Sequence, residues 1–330
     1  MKRITNLPLP DDEGQARRYS AKMRGNEQAS GRRASKSESA RSYVVAGHAL
    51  EAPALAGGLH LVATPIGNLR DITLRALEVL ASADVIACED TRVTRKLLEH
   101  YCVATPLTPY HEHNAASARP KLLARMAAGD SIALVSDAGT PLISDPGFKL
   151  VRAAQAAGHA VTALPGASAA LAALIVAGLP TDRFFFEGFL PAKEGQRRAR
   201  IAEIARIPAS LILFETGPRL ERALSDLAAG LGAREAAVCR ELTKMYEEVR
   251  RGDLVTLARD YASEPLPRGE IVVVIAPPTA DAGALDADAI DDMLRRALTR
   301  ASVKDAVAEV AAATGLARRE VYQRALALKQ

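Results

Sequence analysis

A chain of 330 residues, 48% apolar and 25% charged, carries more apolar surface than one core usually absorbs, so two domains with appendages are expected. Cys88, Cys102 and Cys239 lack CxxC spacing, which supports neither a disulfide framework nor a zinc site and fits a reducing cytoplasm; a net charge of +4 leaves nucleic-acid binding to the clustering of basic residues. No apolar run follows Met1, and the longest one, residues 167–179, is too short to span a bilayer, so neither secretion nor a membrane anchor is expected.

Residues 1–56 read as a disordered basic tail, because the stretch 17–41 is rich in Arg, Lys, Ser and Gly without helical or strand period. An organelle transit peptide has a similar start, but Asp11, Asp12 and Glu13 argue against one. Order is expected from Gly58. Segments 60–63, 84–88, 131–135 and 160–164 read as buried strands, and 73–81, 91–100 and 148–157 as helices. Their alternation predicts a parallel sheet covered on both faces, a first α/β domain over residues 57–178.

A second α/β domain is expected over residues 179–278. Its strands fall at 184–186, 211–214, 236–239, 246–251 and 271–275, with helices near 196–205 and 220–229. Residues 279–330 hold a linker and a helical hairpin: an apolar-faced helix at 303–312, the turn Thr314-Gly-Leu316, and a basic helix opening at Arg318. Helix, Gly-containing turn and basic helix fit a helix-turn-helix outline with Arg318 and Arg319 toward RNA, although a plain hairpin has the same pattern.

Three turns follow strands of the first domain: Thr64-Pro-Ile-Gly-Asn68, Ser136-Asp-Ala-Gly-Thr-Pro141 and Pro165-Gly-Ala-Ser168. Ligands of open α/β sheets bind where such turns converge at the carboxyl ends of strands. The last turn opens into the Ala-rich helix 169–177, whose free N–H groups suit an anion such as a carboxylate. There is no GxxxxGK[ST], and Gly230-Leu-Gly232 lacks a third glycine and ends a helix, so a dinucleotide dehydrogenase or NTPase is disfavoured.

Nine ordered motifs carry a resemblance. They include Thr64-Pro-Ile-Gly-Asn-Leu69, Cys88-Glu-Asp-Thr-Arg92, His111-Glu-His-Asn114, Ser136-Asp-Ala-Gly-Thr-Pro141, Asp145-Pro-Gly147, Glu187-Gly-Phe-Leu-Pro-Ala-Lys193 and Arg240-Glu-Leu-Thr-Lys244. From about Leu59 to the C-terminus the chain resembles the ribosomal RNA small-subunit methyltransferase I family, a branch of the tetrapyrrole methylase superfamily. The resemblance implies two α/β domains of tetrapyrrole methylase type, S-adenosylmethionine between them, a homodimer, and 2′-O-methylation of a cytidine in the decoding region of small-subunit RNA. It also implies a cofactor crevice lined by Pro65, Gly67, Asn68, Asp137, Gly139, Thr140, Pro141, Gly166 and Ser168, with Phe214 and Glu215 facing it. Two strings depart from the family pattern: Pro165-Gly-Ala-Ser168, and Glu215-Thr-Gly-Pro-Arg219, which lacks the usual histidine.

A ribose hydroxyl is a poor nucleophile until its proton is accepted or polarised. Glu89 and Lys193 are the catalytic candidates, with Asp90, His111, His113 and Lys244 as further helpers. Glu89 and Asp90 end a strand, where capping the next helix is an equal reading. His111-Glu-His113 has no third ligand in view, so no metal is expected. Lys193, Arg197, Arg198 and Arg200 form a basic run that either grips RNA phosphates, through Arg197 and Arg198, or is a solvated helix face. Two rival functions stand beside the methylation of ribosomal RNA: a corrin or porphyrin-precursor methylase, and a non-catalytic RNA-binding assembly factor.

Overall fold

Among the described residues, regular structure begins sixteen residues earlier than Gly58, at a hairpin inside the expected tail. The computed structural model describes residues 41–278, 287–314 and 316–328. β1 (Ser42–Val45) pairs antiparallel with β2 (His48–Glu51) across Ala46 and Gly47, which take φ of 49° and 83°. Two left-handed residues in a two-residue loop match the right-handed twist of the strands they join. Tyr43 enters the core, and the Val44 N–H donates to the Tyr101 carbonyl at 2.8 Å. The tail expectation thus fails for residues 42–51, and its remainder up to residue 40 lies outside the described residues.

The first sheet follows the predicted alternation. β3 (Gly58–Val62), α1 (Leu74–Ser82), β4 (Val85–Cys88), α2 (Thr91–His100), β5 (Leu107–Pro109), α3 (Ala115–Ala127), β6 (Ser131–Val135), α4 (Phe148–Ala156) and β7 (Val161–Leu164) run in that order. The five strands are all parallel, in the order β5-β4-β6-β3-β7. Every residue of β4 and β6 is buried, as strands covered on both faces must be. Leu77 and Leu80 of α1 and Leu97 and Leu98 of α2 pack one face with Tyr43, while Leu122, Met126, Leu150 and Ala154 of α3 and α4 pack the other. Strand β5 and helix α3 were not expected from sequence.

α5 (Ala169–Ala177) leads into the second sheet, formed by β8 (Phe184–Phe189), β9 (Ser210–Thr216), β10 (Glu235–Arg240), β11 (Glu248–Asp253) and β12 (Glu270–Ile275). Its order is β11-β10-β12-β9-β8, and only β8 and β9 are parallel. α6 (Glu194–Ile204), α7 (Gly217–Leu231) and α8 (Leu254–Ser263) supply side chains to one of its cores. α5 packs Ala173, Leu174 and Ala177 against Ile212, Ala237, Val272 and Val274 on the other face, which ties the two sheets together. At the C-terminus α9 (Ala287–Leu298), α10 (Val303–Thr314) and α11 (Arg318–Ala327) bury a core of their own around Leu294, Val307, Val310 and Val321. The expected hairpin is therefore a three-helix unit among the described residues. No helix among them is long and apolar enough to cross a membrane.

Candidate active site

The three turns at the carboxyl ends of the first sheet are stitched together by hydrogen bonds. The Thr64 N–H donates to the Gly139 carbonyl at 2.9 Å, and the Gly139 N–H returns to the Thr64 carbonyl at 3.0 Å. Gly139 takes φ of 83°, which L side chains rarely adopt. The Thr140 hydroxyl donates to the Ala167 carbonyl at 3.1 Å, which fixes the second turn on the third. Ser168 caps α5 by accepting the Leu171 N–H at 3.4 Å.

A cavity of about 300 Å³ opens between these turns and the second sheet. Asp137, Gly139, Thr140 and Ser168 line it from the first sheet's side, with Phe214 and Glu215 of β9 opposite. Sequence reasoning missed Ile143, Asp145, Phe189 and the stretch Gly269, Glu270, Ile271 and Val272 at the start of β12. Phe186 and Phe189 stack edge-on against Phe214, at centroid distances of 5.0 and 5.7 Å. Pro65 and Gly67 line a second cavity of about 270 Å³ beside the first.

Asn68, Pro141 and Gly166 are on neither wall. Asn68 instead accepts the Arg70 N–H at 3.1 Å and caps a 3-10 turn. Pro141 is buried, and a Cβ on Gly166 would stand 2.8 Å from the Ala63 Cβ, so that glycine serves strand-to-turn packing.

Carboxylates crowd the first cavity's rim. The Ser136 hydroxyl donates to Asp145 Oδ2, and Asp137 Oδ1 accepts the Asp90 N–H at 3.0 Å. Burial pushes the Asp145 carboxyl up from its ordinary value; Asp137 adds to the rise, and the bond from Ser136 offsets part of it. Glu89 is also raised, first by burial and then by Asp145 and Asp137, with His111 opposing. Burial raises Glu215 as well, against the Thr216 N–H and Arg219, whose Nε lies 3.1 Å away. Such a site favours a positively charged ligand.

The second cavity is closed by a loop from the other sheet. Glu241 and Thr243 take left-handed φ of 51° and 66° there, and the Asn68 N–H donates to the Thr243 hydroxyl at 3.1 Å. Gly67 permits this approach, since a Cβ would collide with Lys244 Cγ. Lys244 Nζ donates to Glu241 Oε1 at 2.7 Å and Glu270 Oε2 at 3.0 Å. Burial pulls its ammonium down, but those two bonds outweigh it and the net shift is upward. Lys244 is thus a fixed cation.

Neither catalytic candidate lies on these walls. Glu89 is an exposed residue within hydrogen-bond reach of Asp145, off both walls, and Lys193 is an exposed residue preceding α6. Asp90 takes the capping role, accepting the Arg92 N–H at 2.8 Å. Arg197 is corrected outright: it is 6% exposed, and its Nη2 sits 2.6 Å from Asp226 Oδ2, so it cannot meet a phosphate. Arg198 remains exposed, though it too pairs with Asp226, at 2.7 Å. Arg318 and Arg319 are exposed on α11. Among the described residues no group of three His, Cys, Asp or Glu could hold a metal ion.

A parallel five-stranded sheet, a mixed one and a cleft between them define the class of the tetrapyrrole methylases, and the family model described as Tetrapyrrole (Corrin/Porphyrin) Methylases matches residues 58–258. A solved cobalt precorrin-4 methyltransferase shares that fold, with a TM-score of 0.51 at 16% identity over 66% of this chain and 94% of that one. The likeness to two curated proteins is far closer. Both are called ribosomal RNA small subunit methyltransferase I. The Mesorhizobium japonicum protein is 51% identical over 82% of this chain and 92% of its own length; the Erythrobacter litoralis protein is 51% identical over 86% and 99%. A second model, the RsmI C-terminal HTH domain, matches residues 283–329. The chain belongs to the ribosomal RNA small subunit methyltransferase I family.

Proposed function

We propose that this chain transfers a methyl group from S-adenosylmethionine to the 2′-hydroxyl of a cytidine in the decoding region of small-subunit ribosomal RNA. The observation that carries the reading is the first cavity, with apolar walls and a carboxylate rim around the Gly139 turn, in a chain 51% identical to named ribosomal RNA methyltransferases.

The residues present fit the donor. Phe214, Ile271 and Val272 offer an apolar face to its adenine, and the capped N-terminus of α5 offers N–H groups to its carboxylate. Asp137, Asp145 and Glu215 supply negative charge for its sulfonium, and Gly139 leaves the backbone open to approach. When bound, the donor supplies an electrophilic methyl group. The protein's work is to hold the acceptor in line, exclude water and accept a proton.

Arg318 and Arg319 with Tyr322 present an exposed basic face on α11, and Arg198 adds a cation near the cleft-bearing sheets; these support contact with RNA phosphates. On α5, Leu171 and Ile175 are 49% and 72% exposed on a helix that is apolar all round, which supports a homodimer. The setting would be the cytoplasm and the acceptor the assembled subunit. The corrin or porphyrin alternative is not favoured: the precorrin methylase is 16% identical, against 51% for the ribosomal RNA enzymes.

The test is methyl transfer from labelled S-adenosylmethionine to isolated small subunits, free ribosomal RNA and uroporphyrinogen. Label in subunits or their RNA is expected. Label only in the tetrapyrrole would overturn the reading.

A further inference from the structure

The second cavity lies beside the one assigned to the donor, and what it takes rests on the reading just given. It abuts the first across Ile66, Asp137, Ala138 and Glu270, which line both. A transfer between two substrates needs this arrangement, with the donor in one chamber and the acceptor reaching the shared wall from the other. At about 270 Å³ the second chamber is on the scale of one small molecule. A stacked helix is too large for it, whereas enzymes that modify nucleic acid commonly extrude a single nucleotide into such a pocket.

Two lysines and two carboxylates stand on its walls. Lys244 stands on the wall as a cation fixed between Glu241 and Glu270. Lys96, exposed on α2, lines the same chamber and has no carboxylate partner among the described residues. Of the two carboxylates in the shared wall, Glu270 is tied to Lys244. Asp137 accepts the Asp90 N–H through Oδ1, and its other oxygen has no partner among the described residues.

We propose that the second cavity is the acceptor chamber: it takes one unstacked ribonucleotide, its phosphates on Lys96 and Lys244 and its 2′-hydroxyl on Asp137. In the transfer the hydroxyl oxygen bonds to the methyl carbon as the bond from that carbon to the sulfonium sulfur of the donor breaks. The sulfur keeps the electron pair, and the hydroxyl proton passes to Asp137 and then to water.

The test uses the full chain. Val93 lines the second chamber and not the first, and it is 40% exposed on α2, so Val93→Trp fills that chamber without entering a core. The expected result is unchanged calorimetric affinity for S-adenosylmethionine with methyl transfer to small subunits lowered about 100-fold. Lys96→Glu should raise the KM for subunits and leave kcat alone. Asp137→Asn should lower kcat about 100-fold at unchanged subunit KM. A Val93→Trp protein that methylates subunits at the wild-type rate overturns the acceptor chamber and leaves the enzymatic reading standing. One that loses affinity for S-adenosylmethionine puts the donor in the second cavity and overturns the assignment of the chambers. Asp137→Asn at the wild-type rate removes Asp137 from the chemistry. A wild-type chain that binds S-adenosylmethionine and methylates no subunit overturns the function itself, and the RNA occupant with it.

Discussion

Arg197→Met keeps the apolar stem of the side chain and removes its guanidinium. That group donates to Asp226 Oδ2 from Nε at 2.7 Å and to the Ala192 carbonyl from Nη1 at 3.1 Å, with the Arg197 and Asp226 side chains 8% and 6% exposed. Removing one member of a buried pair leaves the other charge uncompensated, at a cost of about 3–5 kcal/mol. Arg198 still reaches Asp226 Oδ1 at 2.7 Å, so the low end, about 3 kcal/mol, applies. Thermal unfolding should then show a midpoint lower by about 5 °C.

Acid unfolding gives an independent reading of the same pair. Burial pushes the Asp226 carboxyl up, but the bonds from Arg198 and Arg197 outweigh it and hold it below its ordinary value. A depressed folded pKa stabilises above the unfolded value of about 3.9, and that stabilisation is lost as pH falls through the folded pKa. The variant should therefore unfold at a higher pH than the wild type. An unchanged thermal midpoint with a shallower salt dependence of subunit binding would put Arg197 on RNA and refute the packing account.

Gly139→Val places a β-branched residue at φ of 83° with its Cβ 3.2 Å from Ile66 Cγ2, and it should weaken S-adenosylmethionine binding by about tenfold in calorimetry. Arg318→Ala with Arg319→Ala should lower the salt slope of subunit binding by about one for each phosphate no longer neutralised, with donor affinity unchanged. Truncation after Pro278 removes α9 to α11, which bury their own core, so donor binding should persist while the KM for subunits rises. A truncated chain that no longer dimerises in ultracentrifugation would give those helices an assembly role instead.

The first sheet was legible because its central strands are continuous apolar runs between turn residues. β5 was not: Leu107-Thr-Pro109 is three residues long and contains a proline, which suits only an edge. The hairpin β1–β2 was hidden by the basic stretch before it, although Tyr43 and Val45, two residues apart on one strand face, both pack inward just before an Ala-Gly turn. Arg197 misled because charge was read without register. It shares a helical face with Ile201 and Ile204, and Asp226 shares one with Ala223 and Leu227, so both charges sit on buried stripes.

Half of the first cavity was visible in three turns, since each announces itself locally. The other half enters from the start of β12, more than a hundred residues away, where Gly269-Glu-Ile-Val272 has no local signature of a site. Lys244 illustrates the same limit. Its motif marked it as a helper beside Lys193, but only the fold puts it on a cavity wall.

The central claim is tested most directly by locating the transferred methyl group. Small subunits lacking the modification, treated with the purified protein and labelled S-adenosylmethionine, would be digested to nucleosides and separated by mass. The label should appear in 2′-O-methylcytidine. Label in a base-methylated nucleoside, or in the ribose of another nucleotide, would contradict the account.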